Sequence, residues 1–338
     1  MLSLEQIKAI DKSQMYKIYD NWPDIAKEAF MMNSEQIEFK NINNIIFAGV
    51  GGSGTIGDIF SSILSKTDIH TSVVKGYLLP KTTNNNSLII ISSVSGNTDE
   101  AFNILKSANH SNFKTICFSS GGKIEDYCLK NKIYHKHIEK IHSPRASLTK
   151  FLYTIIKTIQ PIIPIRDEEV FESISELSNI KKIINSNFLT KKNPSLELAE
   201  WISNMPIIYY PWGLQAAAIR FKSCLQENAK LHTFAEDVIE ASHNGIVSWE
   251  KDSLKKPILI RGRDDYEKTI NRWEIFKEYF KQNNIEYMEI YGKGNSILSK
   301  LITLIYLLDY SSIYRAILSG IDPTPVKSID FIKKQLAN

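Results

Sequence analysis

Cysteine is scarce in this chain. Its 338 residues hold three, Cys117, Cys128 and Cys224. An odd number without ligand-like spacing argues against a disulfide framework or a zinc module, and it fits a reducing, cytoplasmic setting. Long apolar runs are missing as well. The longest near the C-terminus, residues 301–308, is cut by Asp309 and is too short to span a bilayer. The opening MLSLEQIKAIDKSQ turns polar from its fifth residue and lacks the apolar core of a signal peptide, so no membrane association is expected. Charge of one sign is not concentrated anywhere. The net charge of +4 is mild and the basic residues are scattered; with no helix-turn-helix or other recognised motif, nucleic acid is not an expected partner. No His, Cys and carboxylate cluster has metal-ligand spacing, so no metal is expected. What remains is the composition of a globular protein, 43% hydrophobic and 23% charged, with length enough for two domains.

Residues 1–34 read as helix, and Pro23 suits a position in the first turn of one. From Asn44 the texture changes. Short apolar runs at residues 45–48, 72–74, 88–92, 114–118 and 132–138 read as buried strands. Residues 55–64, 98–108 and 123–131 read as the helices between them. The alternation implies a parallel sheet with helices on both faces. It repeats more weakly, with strands at 206–210, 257–261 and 286–290 and helices at 214–230, 266–282 and 296–318. The expectation is an α/β chain of two related doubly wound halves, with a boundary near residues 159–167.

Two turns carry the chemistry. Gly49-Val50-Gly51-Gly52-Ser53-Gly54 follows one apolar run, and Ser93-Val94-Ser95-Gly96-Asn97-Thr98 follows another. Glycines let a backbone approach a ligand closely and adopt positive φ. The helix after such a turn aims free N–H groups and its positive dipole end at an anion. A dinucleotide site competes, since the first turn has a G-x-G start. That fingerprint also wants an acidic residue at the end of the second strand, where this chain reads Val73-Val74-Lys75. Alone, the first turn also reads as a structural tight turn and the second as a helix cap. Two at the carboxyl edge of one sheet point to a ligand, and hydroxyls with N–H groups suit a phosphate.

Ser-x-Ser-Gly-Asn-Thr after a strand resembles the sugar isomerase (SIS) domain, a doubly wound module that binds phosphosugars. The resemblance spans nearly the whole chain. Gly51-Gly52-Ser53-Gly54, Ser93-Val94-Ser95-Gly96-Asn97-Thr98, Pro144-Arg145-Ala146, Glu227-Asn228-Ala229-Lys230, His243-Asn244 and Asp322-Pro323-Thr324-Pro325-Val326 occur in order. The set is similar to the bifunctional phosphoglucose/phosphomannose isomerases. The resemblance implies two SIS subdomains, αβα sandwiches. The first, with the N-terminal helices and phosphate loops, would cover residues 1–158. The second, residues 159–338, would carry the catalytic Glu and His and a C-terminal helix that returns to the active site.

It also implies roles. Ser93, Ser95 and Thr98 would hold the phosphate, with Gly51, Gly52 and Ser53 on the sugar side. Alone, Arg145 reads as a solvated surface residue; by resemblance it faces the reacting carbons and stabilises an enediolate. Glu227, by itself an exposed glutamate near a helix end, becomes the base that moves a proton between C2 and C1. His243, otherwise a loop histidine, helps to open the pyranose ring and is contributed by the partner subunit of a homodimer. Lys333, rather than Lys334, would contact the ring oxygen, although a C-terminal lysine is usually a solvated helix end. Some relatives have threonine where this chain has Val326, a position linked to acceptance of both C2 epimers; Thr324 is the candidate substitute.

The implied activity is interconversion of glucose 6-phosphate and mannose 6-phosphate with fructose 6-phosphate through a cis-enediol, without a cofactor. Two rivals remain. A non-catalytic phosphosugar sensor would keep the serine turn without needing Glu227, Arg145 and His243 together. An aminosugar-phosphate isomerase commonly carries an amidotransferase domain with a cysteine nucleophile, which Met1-Leu2 does not supply.

Overall fold

The computed structural model describes residues 2–32, 36–202, 205–251, 253 and 255–336. Where the sequence reads a single N-terminal helix there are three: α1 (Leu4–Ile10), α2 (Met15–Asp20) and α3 (Trp22–Met31). Residues 1, 33 and 34 of that reading lie outside the described set. Local chemistry sets the breaks. Ser3 and Gln6 form a capping box at the start of α1, and Gln14 takes a left-handed φ of 58° before α2. Asp11 Oδ2 accepts from Tyr16 N at 2.9 Å, satisfying a free N–H of that helix.

The chain forms two compact units, each discontinuous in sequence. One comprises Asn21–Ser178 and Lys293–Ile302, the other Met1–Asp20, Asn179–Gly292 and Thr303–Asn338. A single cut between residues 158 and 159 therefore differs from this division. Met1–Asp20 goes with the later sheet, because Tyr19 and Asp20 bond to Asp309 and Tyr310.

The unit holding Asn21–Ser178 is built on β1 (Asn44–Ala48), β2 (His70–Val74), β3 (Ser87–Ser93), β4 (Lys114–Ser119) and β5 (Tyr134–His137). All are parallel, in the order β2-β1-β3-β4-β5. Helices α4 (Gly52–Leu64), α5 (Asp99–His110), α6 (Gly122–Asn131) and α7 (Leu148–Ile159) connect and cover it. Strands β1 and β3 are buried along their whole length, as a strand covered on both faces must be. Ile46, Ile89, Ile91 and Cys117 pack against Ala101, Ile104 and Leu105 of α5 and Ile124 and Cys128 of α6. On the other face Phe47 stacks on Phe60 of α4 at 4.7 Å. This is an αβα sandwich whose strand order reverses between β1 and β3, and the two turns follow those strands.

Helix α8 (Asp167–Ile184) precedes α9 (Pro194–Trp201). The other unit then holds β6 (Ile207–Tyr210), α10 (Gln215–Ala229), β7 (Phe234–Asp237), α11 (Val238–Ala241), β8 (Pro257–Arg261), α12 (Glu267–Gln282) and β9 (Met288–Tyr291). Its sheet is also parallel, in the order β7-β6-β8-β9. One face packs Tyr209 and Leu259 against Val238 and Ala241 of α11 and Trp273, Phe276 and Phe280 of α12. Helix α10 joins neighbouring β6 and β7, and a right-handed crossover places it on the opposite face.

Helices α13 (Ile297–Leu318) and α14 (Lys327–Leu336) follow. Helix α13 is long and apolar enough to cross a membrane, but 89% of its apolar window is buried within the protein. Its Asp309 accepts from Arg220 of α10 at 2.6 Å, and both side chains are buried. It is a core helix. All three cysteines are free and buried.

Candidate active site

In the first turn Gly51 has φ 58° and ψ −129°. Nothing lies within 4 Å of a Cβ built there, so the requirement is backbone conformation rather than space. No side chain caps the start of α4. A Cβ on Gly52 would lie 3.1 Å from Pro144 O and 3.6 Å from Arg145 Cα. The first turn therefore lies against the Arg145 segment. Ser53, buried, accepts from Val94 N at 3.3 Å and ties the two turns together.

The second turn closes on itself. The Ser93 and Thr98 hydroxyls are 2.9 Å apart, and Ser93 Oγ accepts from Gly96 N at 3.1 Å. Ser95 is exposed and accepts from Asn97 N at 3.3 Å. Thr98 is the N-cap of α5 but makes no side-chain cap bond. Sequence reasoning missed the turn that supports this one. Gly121 and Gly122, both at positive φ, follow β4, and Gly121 O would be 1.6 Å from a Cβ on Gly96. Lys123 N donates to Asn97 Oδ1 at 3.1 Å. Ser119 at the end of β4 lies 2.8 Å from His135 Nε2. Burial holds that imidazole below its ordinary pKa, against the opposing effect of Glu125 and with a further lowering from His137. A glycine pair after a third strand end was the available signal.

Arg145 is only 4% exposed, which overturns the surface reading of an isolated arginine. Its segment is a compact turn into α7. Ser147 N donates to Ser143 O at 3.0 Å, and Trp22 Nε1 donates to Ala146 O at 3.0 Å.

Glu227, His243 and Lys333 lie in the other unit. Glu227 is half-buried in the last turn of α10. Beside it, buried Asn228 donates to Ser312 Oγ of α13 at 2.8 Å, which fixes the rotation of α10. His243 is exposed in the turn after α11, between exposed Ile239 and Val247. Helices α10, which bears Glu227, and α11, which precedes His243, cover opposite faces of their sheet by the crossover rule. Lys333 is exposed on α14, a helix that buries no residue. Ile329, Ile332 and Leu336 share a stripe of that helix, and Lys333 borders it at i+4 from Ile329 while Lys334 points away. Among the described residues no group of three or more His, Cys, Asp or Glu is placed to hold a metal ion.

Paired parallel αβα sandwiches with hydroxyl-bearing turns at a strand-order reversal define a protein of the SIS class. The solved C-terminal domain of glucosamine-fructose-6-phosphate aminotransferase from Francisella tularensis shares this fold. It has a TM-score of 0.69 and 15% identity, covering 92% of this chain and 97% of that one. Residues 191–336 match the family model for the bacterial phospho-glucose isomerase C-terminal SIS domain. The bifunctional phosphoglucose/phosphomannose isomerase of Caldicellulosiruptor bescii is 30% identical over 96% of this chain and 99% of its own length. That of Aquifex aeolicus is 28% identical, over 96% and 98%. The chain belongs to the bifunctional phosphoglucose/phosphomannose isomerase family.

Proposed function

We propose that the protein is an aldose–ketose isomerase that interconverts glucose 6-phosphate and mannose 6-phosphate with fructose 6-phosphate. The observation that carries this reading is the joined pair of turns beside a buried arginine. Ser93, Ser95, Thr98 and the start of α5 offer donors to a phosphate, and Gly51, Gly52 and Ser53 offer backbone and hydroxyl groups to the sugar.

His243 and Lys333 act on the ring and O1 oxygens and release the open aldose. Glu227 takes the proton from C2. The C–H electron pair becomes the C1–C2 double bond as O1 is protonated. O2 then gives up a proton, balancing the one taken up at O1, and forms the C2 carbonyl as the electron pair of the C1–C2 double bond takes hydrogen from Glu227 at C1, leaving the ketose. Arg145 stabilises the negative charge that develops on the oxygens. Hydrogen moves within the substrate, so the reaction as written consumes no cofactor.

The enzyme works as a homodimer in the cytoplasm, where free thiols persist. Supporting the dimer, the helix that bears Glu227 and the helix that precedes His243 cover opposite faces of one sheet by the crossover rule, and apolar Ile239 and Val247 flank exposed His243. A partner copy supplies His243 to the sugar on Glu227.

The test is a coupled assay from fructose 6-phosphate, scoring both aldose products. Glu227→Gln abolishes turnover while phosphosugar still binds; an active Glu227→Gln enzyme would refute the assigned base. Inactive Glu227→Gln and His243→Ala enzymes, when mixed and re-equilibrated, regain activity if His243 crosses the interface. In the mixed dimer one site then has both native groups. No recovery from a mixed dimer means that His243 serves its own chain.

A further inference from the structure

We propose that Lys230 is a positioning residue that straps the Glu227-bearing end of α10 to the turn at residues 322–326. This rests on Glu227 being the base. Helix ends fray, and the last turn of a helix has carbonyls without partners. A base that must serve two adjacent carbons cannot tolerate that looseness. Lys230 counters it with one ammonium group. Its Nζ donates to Glu227 O, the carbonyl of the base itself, and to Pro325 O at 2.7 Å.

The backbone at this position is costly for a lysine. Lys230 caps α10 in the left-handed conformation, φ 58° and ψ 32°, with its N–H bonded to Leu225 O. Glycine is the residue that such a cap ordinarily takes. A lysine there gives up backbone stability, and what it adds is its side chain. An ammonium at a helix C-terminus also matches the local dipole.

The far end of the strap is stiff. Pro323 and Pro325 restrict the backbone, and Thr324 N donates to Asp322 Oδ1 at 2.9 Å. This turn carries Thr324 and Val326 and leads into α14, which bears Lys333. Lys230 therefore couples the backbone of the proton-transfer residue to the turn that leads into α14.

Lys230→Gly removes the ammonium and suits the left-handed backbone, so folding should not suffer. We expect kcat from fructose 6-phosphate to fall about tenfold or more, since small misplacements of a reacting group carry such costs. KM should stay within about twofold, because the phosphate turns are untouched. Lys230→Arg, which keeps a cationic donor, should restore most of kcat. A folded Lys230→Gly enzyme with unchanged kcat, or a Lys230→Arg enzyme no better than Lys230→Gly, overturns the proposal. If Lys230→Gly does not fold, Lys230→Asn, which also tolerates the left-handed region, is read by the same criteria. Glu227→Gln is assayed alongside. If it stays active, the base is misassigned; if it is inactive while Lys230→Gly is fully active, only the strap fails.

Discussion

The Ser93 hydroxyl lies 2.9 Å from that of Thr98, at the two ends of the turn between β3 and α5. Ser93 also accepts from Gly96 N, so either hydroxyl helps to set the other and the N–H groups between them. Losing one should therefore disturb the whole cradle. Ser93→Ala and Thr98→Ala should each raise KM for fructose 6-phosphate about tenfold or more, since hydrogen bonds to a charged group contribute about 1.5–3 kcal/mol. The double variant should fall short of the product of the two effects, because contacting residues are coupled. A double-mutant cycle that comes out additive would separate the two hydroxyls.

Gly96 and Gly51 both have positive φ, yet their surroundings differ. A Cβ on Gly96 would be 1.6 Å from Gly121 O, whereas one on Gly51 meets nothing within 4 Å. Gly51→Ala should cost only backbone strain, about 1–3 kcal/mol. Gly96→Ala adds a clash between two backbones and should be clearly the more destabilised in urea titration. Equal midpoints for the two variants would mean that the contact between these turns yields easily.

The same contrast explains what could be read from the chain. Strands β1, β3, β4 and β8 are legible because a strand covered on both faces must be apolar throughout. Strand β7, Phe234-Ala235-Glu236-Asp237, is a sheet edge with little apolar signal, and the sequence reading passes over it. The two turns are marked by glycine and serine at strand ends. Gly121 and Gly122 became interpretable only once packing brought them to Gly96. Glu227 was beyond a reading of residue types, since a glutamate near a helix end looks like any exposed one. Its helix returns from the carboxyl edge of the sheet, so the usual rule for ligand position does not find it either. Only the family resemblance singled it out.

Arg220 and Asp309 form a buried pair between α10 and α13, and Tyr19 OH adds a bond to Asp309 Oδ2 at 3.0 Å. Removing one partner leaves a buried charge alone. Arg220→Met or Asp309→Asn should each cost about 3–5 kcal/mol. Replacing both with apolar residues of similar volume should recover much of that loss. Chemical denaturation of the two single variants and a double variant tests this. Single variants as stable as the native protein would show that the pair is not confined as described.

Glu172 of α8 receives the start of α13. Its carboxylate accepts from Asn295 N at 2.8 Å, Ser296 N at 3.0 Å and Ser299 Oγ at 2.9 Å. Burial alone would raise its pKa, but the bonds from Ser296, Asn295 and Ser299 outweigh that and bring it down to about 2. The unfolded chain titrates at the ordinary glutamate value of about 4.3. Because the folded value is the lower one, the unfolded state takes up the proton first as pH falls. The contribution is therefore complete above about pH 4.5 and is lost as the pH falls toward about 2. Native and Glu172→Gln proteins should differ in urea midpoint at neutral pH, with the gap narrowing over that acidic window. A gap that stays constant down to the acid limit would show that the carboxylate charge contributes nothing to the start of α13.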